Sequence, residues 1–545
     1  MSAKSAMVTV TRSISVAAGV FAPGHLGELT QVVPFELVDA VPAQAGRTER
    51  RVRVLPSRVG VYFLLAMCLF PQVGYRLVWA KMVAGLGGPA AGDPCAKALR
   101  DLRRRVGPDP VRALFEVLAG PLGRPGTPGV LFAGYRTVSF DGCSSQKVPD
   151  TVRNRAWLGG ARESDGYPRI CLMTLVETGT RALAGAVFAT TGVGEIAYAT
   201  RLLHLLDDRM LVLWDRGFDS ADFLAAVHAT GAKLLGRATG NRRPPVLARL
   251  ADGSYRSRIG GVAVRVIEAE ITVRCQDGTV FTGTYRLVTT LLCHRRHPAG
   301  DLVRCYHERW EHESAYYALR HTMLDGRILR SGDPAGLEQE LWALLCLYQA
   351  LRTAMLDAVE HRPGTDPDRA AFTVAHQHAR DQLIKAEAVA YDPADRLGPL
   401  GRAVLKALLP PRRIRVSTRK IKSTHVRYHV RRNDGRPLTS QNVTALEIAV
   451  LEPTPPGPAP DTGPPPAAHA DTGPRLTRVL ALMRSDPNRA WHAAEIAHRL
   501  DAKSLNAIRV DLSKWSHKGH LLKTGPAIYT LPPTTPTPLT ANQNP

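Results

Sequence analysis

Residues 452–474 carry nine prolines and little that could pack. A proline donates no backbone hydrogen bond and has its φ fixed, so neither a helix interior nor a central strand can run through such a stretch. Residues 451–474 therefore read as a semi-rigid linker. The chain must fold as separate blocks on either side of it. Its 545 residues point the same way, because a single hydrophobic core stops growing well short of that length.

Residues 1–24 read as a flexible arm and 25–125 as a helical domain, with apolar residues at three- and four-residue spacing over 27–41 and 57–70. Arg50, Arg51, Arg53, Arg100, Arg103, Arg104 and Arg105 are phosphate-contact candidates there, or a solvated basic surface. From residue 126 the period changes. Strands are expected over 134–140, 168–176 and 183–190, an amphipathic helix over 195–206, a wholly apolar strand over 210–214, a helix over 220–229 and a strand over 233–237. Residues 126–240 are thus the first part of an α/β layered core. Residues 241–298 alternate like a β insertion, and 299–450 complete the core with long helices over 337–360 and 370–389. The basic run 412–432 is dense enough in Arg and Lys to favour phosphate contact. Beyond the linker, 475–532 reads as helix, helix–turn–helix and hairpin, the order of a winged helix-turn-helix. Arg509, Lys514, His517 and Lys518 fall on its candidate recognition helix; a three-helix docking module is the alternative. Residues 533–545 are a disordered tail.

The balance of 71 Lys+Arg against 48 Asp+Glu leaves a net charge of +23, which favours a polyanionic partner, nucleic acid being the commonest. Eight cysteines are scattered singly with no C-x-x-C pair, as suits reduced thiols in a cytosol, and their spacing with His294, His297 and His307 fits no zinc site. The longest apolar run, 59–70, is too short to span a membrane. The apolar patch 14–21, with only Lys4 and Arg12 before it, is not taken for a signal peptide. A cytoplasmic protein without membrane contact is expected, associated with the nucleoid when bound to DNA.

Residues 304–320, RCYHERWEHESAYYALR, contain no Gly or Pro and read as one helix. At about 100° per residue, Tyr306, Arg309, Glu313 and Arg320 share an arc of about 60°. A phenol, two guanidinium groups and a carboxylate on one stripe are costly to bury unpaired. The bland reading is a solvated Arg–Glu face. Two aspartates upstream alter that reading. Asp141 ends one expected strand in S-F-D-G-C and Asp215 ends another in L-W-D-R-G-F, and strand ends are where open α/β sheets build sites. Each alone is as readily a turn former. With a carboxylate from the stripe they would make a hard oxygen site for Mg²⁺ or Mn²⁺, and a pair of such ions can hydrolyse a phosphodiester. Glu308 and Glu311 compete with Glu313, and spacing does not exclude them.

The combination of Y-H-E-R-W-E-H-E (306–313), W-D-R-G-F (214–218), F-D-G (140–142), V-P-D-T-x-x-N (148–154) and R-I-L-R-S (327–331) resembles the DDE transposases of the insertion-sequence-four family. The likeness covers about residues 25–400. The family spaces Tyr, Arg, Glu and Lys as Tyr306, Arg309, Glu313 and Arg320 are spaced, with arginine here in place of the lysine. The resemblance implies an RNase H-like core and selects Asp141, Asp215 and Glu313 as the metal-binding catalytic triad. It implies Mg²⁺ as cofactor, with Mn²⁺ able to substitute, and double-stranded DNA as partner, both as terminal repeats and as target. It also implies DNA contacts by Tyr306, Arg309 and Arg320, and a homodimer in the synaptic complex. The linker and winged tail are outside that pattern; Arg509 and Lys514 would contact DNA there. The rivals are a transposase-derived DNA-binding protein without activity and an RNase H-like nuclease without strand transfer.

Overall fold

The computed structural model describes residues 26–47, 55–84, 92–159, 166–385, 395, 397–411, 415–416, 420–421, 429–430, 441–452, 475–487, 489–500, 505–517, 519–525 and 527–532. The arm 1–24, nearly all of the linker, the tail 533–545 and most of the basic run 412–432 lie outside the described residues, as do Arg50, Arg51 and Arg53. The chain divides into two compact units, Met1–Thr454 and Pro455–Pro545.

The first unit begins with α1 (Phe35–Gln44), α2 (Ser57–Leu69), α3 (Tyr75–Val83), α4 (Ala96–Val106) and α5 (Asp109–Leu118). Helix α2 is buried on nearly every side, as an almost wholly apolar helix must be. There follow β1 (Leu131–Phe132), β2 (Tyr135–Lys147), α6 (Val152–Leu158), β3 (Arg169–Glu177), β4 (Leu183–Thr190), α7 (Glu195–Thr200), β5 (Met210–Trp214), α8 (Ala221–Ala229) and β6 (Lys233–Arg237). Then come β7 (Ala248–Arg249), β8 (Tyr255–Ile259), β9 (Val262–Cys275), β10 (Val280–Thr289), α9 (Ala299–Tyr306), α10 (Trp310–Tyr317), α11 (Pro334–Glu360), α12 (Phe372–Lys385), α13 (Gly398–Lys406), β11 (Arg415–Val416) and β14 (Gln441–Val450); β12 (Lys420–Ile421) and β13 (His429–Val430) pair separately.

One mixed sheet runs β11-β14-β9-β10-β6-β5-β2-β3-β4. Strands β2, β5 and β6 are parallel, whereas β3 and β4 are antiparallel to their neighbours on one side and β10, β9 and β14 on the other. Strand β5 is buried on both faces. Val212 and Trp214 share a core with α7 and α8, while Leu211 and Leu213 share one with α9. This helix-covered mixed sheet is an RNase H-like core, and the inserted strands continue it.

Three elements differ from expectation. Strand β2 does not end at Asp141: its parallel pairing with β5 stops at Ser139, but it continues antiparallel to β3, with Asp141 opposite Thr174. The helix expected over 195–206 stops at Thr200. A 3-10 turn over Leu203–Leu205 then brings Leu202 and Leu205 onto Gly185 of β4. The 304–320 segment is wound in three ways. A 3-10 turn (His307–Arg309) joins α9 to α10, and a π-helical stretch (Ala318–Met323) comes after α10, loosely wound so that Ala318, Leu319 and Met323 are all buried.

Two of the motifs join the helical domain to the core. Thr151 caps α6 and donates to the Gly332 carbonyl at 2.7 Å, and buried Asn154 donates to the carbonyls of Pro149 and Ser331. Arg330 donates to the carbonyls of Met67, Phe70 and Val73. Arg103, a phosphate-contact candidate in the sequence, is instead buried and paired with buried Glu340 at 3.3 Å, so it is withdrawn from any ligand.

The second unit contains α14 (Arg475–Arg484), β15 (Trp491–His492), α15 (Ala493–Arg499), α16 (Leu505–His517), β16 (Leu522–Gly525) and β17 (Ile528–Thr530). Its small sheet runs β15-β17-β16, and Val479, Met483, Trp491, Ile496, Ile508, Leu512 and Tyr529 form its core. Three helices followed by a hairpin is a winged-helix order.

Replacing Glu340 with alanine strands the Arg103 charge in the interior. Thermal or urea unfolding of Glu340→Ala is expected to show a loss of about 3–5 kcal/mol.

Candidate active site

Strand β5 delivers Trp214 and Asp215 at its end. The Trp214 indole lies over Gly236 of β6, where any Cβ would overlap it. Asp215 then caps a 3-10 turn (Arg216–Phe218), its Oδ1 accepting from the Gly217 N–H at 2.7 Å. Asp141 lies at the same end of the parallel pair, just past the last β2–β5 partner, and its Oδ1 accepts from Gly142 N–H at 2.9 Å.

Helix α10 is fastened across these strands by buried polar contacts. His312 Nδ1 is 2.8 Å from the Ser139 hydroxyl and Nε2 is 2.7 Å from that of Thr174, all three groups fully buried. Burial, with Arg309 nearby, lowers the His312 imidazole to about 3, so it is neutral. The Tyr316 hydroxyl donates to the Asp141 carbonyl at 2.7 Å and accepts from Thr174 at 3.0 Å. The helix is therefore set in register against Asp141 itself. One turn back, Arg309 is buried, bonded to Glu313 at 3.0 Å and placed 3.8 Å from Asp141 Oδ2. Its guanidinium also lies 5.3 Å from the Trp310 ring.

Charge dominates here. Burial first, and then Glu313 and Asp215, push the Asp141 carboxyl up to about 7, against the opposing pull of Arg309. Burial works against the Arg309 charge, but Tyr306, Glu313 and Asp141 more than reverse it and hold it above its ordinary value.

Of the three glutamates in the motif, Glu313 is the one bonded to Arg309, with 44% of its side chain exposed. Glu311 is buried in an ion pair with Arg181, which also holds buried Asp368. Glu308 is half-buried and acts on Cys305. Tyr306 is buried rather than presented on an open stripe. Its ring is 6.1 Å from Tyr285, over which Arg237 lies at 4.3 Å, and it shares the electrostatic environment of Arg309 and Asp215. Arg320 sits half-buried in the π-helical stretch and takes no part in the described ion pairs of this cluster. Arg509 and Lys514 are exposed on α16 in the other unit. Ser139, Thr174, His312 and Tyr316 were missed from sequence, although a Ser and a Thr inside otherwise apolar strands were a signal of a buried polar partner.

Carboxylate oxygens are the hard donors that Mg²⁺ or Mn²⁺ takes, and mutual repulsion at Asp141 is what a cation would relieve. The donor chemistry fits a divalent ion. Among the described residues, however, no three acidic, His or Cys side chains stand close enough to enclose one, since Arg309 lies between Asp141 and Glu313.

A family model for the insertion element 4 transposase N-terminal region matches residues 23–116, and one for the transposase DDE domain matches 139–350, a span containing Asp141, Asp215 and Glu313. The chain belongs to the insertion-element-4 family of DDE transposases. It is 25% identical over 309 residues to the transposase InsG for insertion sequence element IS4 of Escherichia coli K12, covering 54% of this chain and 68% of that protein. A piggyBac transposase in a synaptic complex with hairpin DNA aligns with a TM-score of 0.36 and 10% identity, over 70% of this chain and 85% of that one. As a DDE transposase the chain is a DNA-binding enzyme of a class that uses divalent metal ions. No helix among the described residues is long and apolar enough to cross a membrane.

The buried and the exposed glutamate separate experimentally. Glu311→Ala is expected to cost about 3–5 kcal/mol in unfolding measurements, because Arg181 and Asp368 lose their balance, whereas Glu313→Gln should cost far less. Asp141 adds a pH signature. Its folded carboxyl titrates about 7, above the ordinary value of 3.8, so the folded protein retains a proton that the unfolded chain releases. Stability is thereby lost as pH rises through that window. In metal-free thermal unfolding, the gain of Asp141→Asn over wild type is expected to be larger near pH 8 than near pH 5.

Proposed function

We propose that the chain is the transposase of an insertion sequence, which binds the element's terminal repeats, cuts DNA at the element ends and joins the freed 3′ hydroxyl to target DNA. The observation that carries this is the meeting of Asp141 and Glu313, remote in sequence, at the buried cation Arg309, with Asp215 near enough for its charge to act on Asp141. In this reading those carboxylates are the catalytic triad and hold two divalent cations, Mg²⁺ in the cell with Mn²⁺ able to substitute. Such a pair would supply Lewis acidity at the attacking and leaving oxygens of a phosphodiester.

The rest falls to the protein. Asp141 must lose its proton to serve as a ligand, and the repulsion that raises its affinity for that proton also favours a bound cation. Arg309 must loosen its hold on Glu313 and is then placed to meet a phosphate. Tyr306 and Arg320 position the strand beside it, with catalysis coming from placement and charge stabilisation and no covalent protein intermediate. The winged-helix unit, through Arg509 and Lys514, and the N-terminal helices recognise the repeats. Two copies hold two ends in a homodimeric synapse, in the cytoplasm on the nucleoid.

Purified protein with Mg²⁺ and DNA carrying the flanking ends of its own gene tests this. Wild type should cleave and join, and Asp215→Asn should bind but do neither. Cleavage without joining favours a nuclease, binding without cleavage by wild type favours a DNA-binding derivative, and cleavage by Asp215→Asn equal to wild type rules out this triad.

A further inference from the structure

Gly142 follows Asp141 in β2. A Cβ at Gly142 would stand 2.6 Å from both Cδ and Oε1 of Glu195 and 2.8 Å from its Cγ. Glu195 thus reaches from the first turn of α7 onto the bare backbone of Gly142, the residue after Asp141 in β2. Helix α7 follows β4, so this carboxylate arrives from an element that supplies none of the other acidic groups at the site. Its carboxyl is half-buried, and burial first and then Asp215 raise its proton affinity. Among the described residues it makes no hydrogen bond or ion pair. Arg309, the buried cation of the cluster, is engaged with Asp141 and Glu313.

A carboxylate held this way is unfavourable for folding, since it is partly desolvated, faces like charge and has no donor. A glutamine would fill the same space without the repulsion. The arrangement makes physical sense if a positive group absent from the polypeptide completes it. We propose that Glu195 is a fourth carboxylate of the candidate active site and helps to hold the divalent cation beside Asp141. The inference rests on the reading of Asp141 and Asp215 as metal ligands and adds a residue outside the Asp–Asp–Glu set.

Mn²⁺ titration of the full-length protein, followed by the electron paramagnetic resonance signal of free Mn²⁺, tests it in wild type, Glu195→Gln, Gly142→Ala and Asp141→Asn. Glu195→Gln should weaken Mn²⁺ binding about tenfold or more, with a metal-free unfolding temperature equal to or above that of wild type. Gly142→Ala keeps the carboxylate but displaces it, so it should weaken binding in the same direction. A variant combining Gly142→Ala with Glu195→Gln should bind no worse than Glu195→Gln alone, because the two changes act through one group. Wild-type affinity in Glu195→Gln alongside weakened binding in Asp141→Asn overturns the inference and leaves the triad standing. A lowered metal-free unfolding temperature of Glu195→Gln with unchanged affinity makes its role structural and also overturns it. Unchanged affinity in all variants, Asp141→Asn included, overturns the triad and the inference together.

Discussion

The site depends on the way α10 is bonded to the sheet. His312 and Tyr316 carry polar atoms into a fully buried place, where each must find a partner. Ser139 and Thr174 supply hydroxyls, and the Asp141 carbonyl supplies an acceptor. These partners sit at fixed points of two paired strands. Sliding the helix by one residue would leave several of them unsatisfied at once, each at a cost of about 1–3 kcal/mol. A segment far downstream is thereby set against β2 in one register, and that register sends Arg309 and Glu313 towards Asp141.

The resulting cluster is electrostatically unfinished without a cation. The carboxyl groups of Asp141 and Glu195 both lie above their ordinary range because burial and neighbouring carboxylates resist ionisation. Arg309 supplies the buried positive charge against Asp141 and Glu313. The fold tolerates this strain because the surroundings are stable on their own account. Helix α11 lies among α2, α5, α12 and α13 in one large apolar core, and the ion pairs Arg103–Glu340 and Arg181–Glu311 are buried. Several residues of the family-like motifs belong to that scaffold. Asn154, Thr151, Arg330 and Ser331 tie the helical domain to the core, and Glu311, one residue from His312, is held in the Arg181 network.

Much of the architecture was legible beforehand. The wholly apolar run at Met210–Trp214 marked a strand buried on both faces, and Asp215 marked its end. The change from three- and four-residue spacing to alternation marked the passage from helices to sheet, and the helix–helix–helix–hairpin order beyond the prolines was readable from local signals alone. The phase of the 304–320 segment was not. A 3-10 turn and a π-helical stretch interrupt it, and such changes in winding answer to packing against other elements, which one helix's own periodicity does not encode. Arg103 likewise left the expected basic surface because Glu340, more than 200 residues away, draws it into the interior.

The sequence by itself determined most of the helices and strands, and that Asp215 closes a wholly apolar strand, because these depend on residue spacing and on the conformational limits of proline and glycine. Tertiary structure alone decided which glutamate of the 306–313 motif pairs with Arg309 beside Asp141, and that Glu195 comes to lie against Gly142. Charges separated along the chain affect one another only when folding brings them within a few ångströms in a poorly screened interior. That proximity is set by the sheet order and by the contacts of His312 and Tyr316.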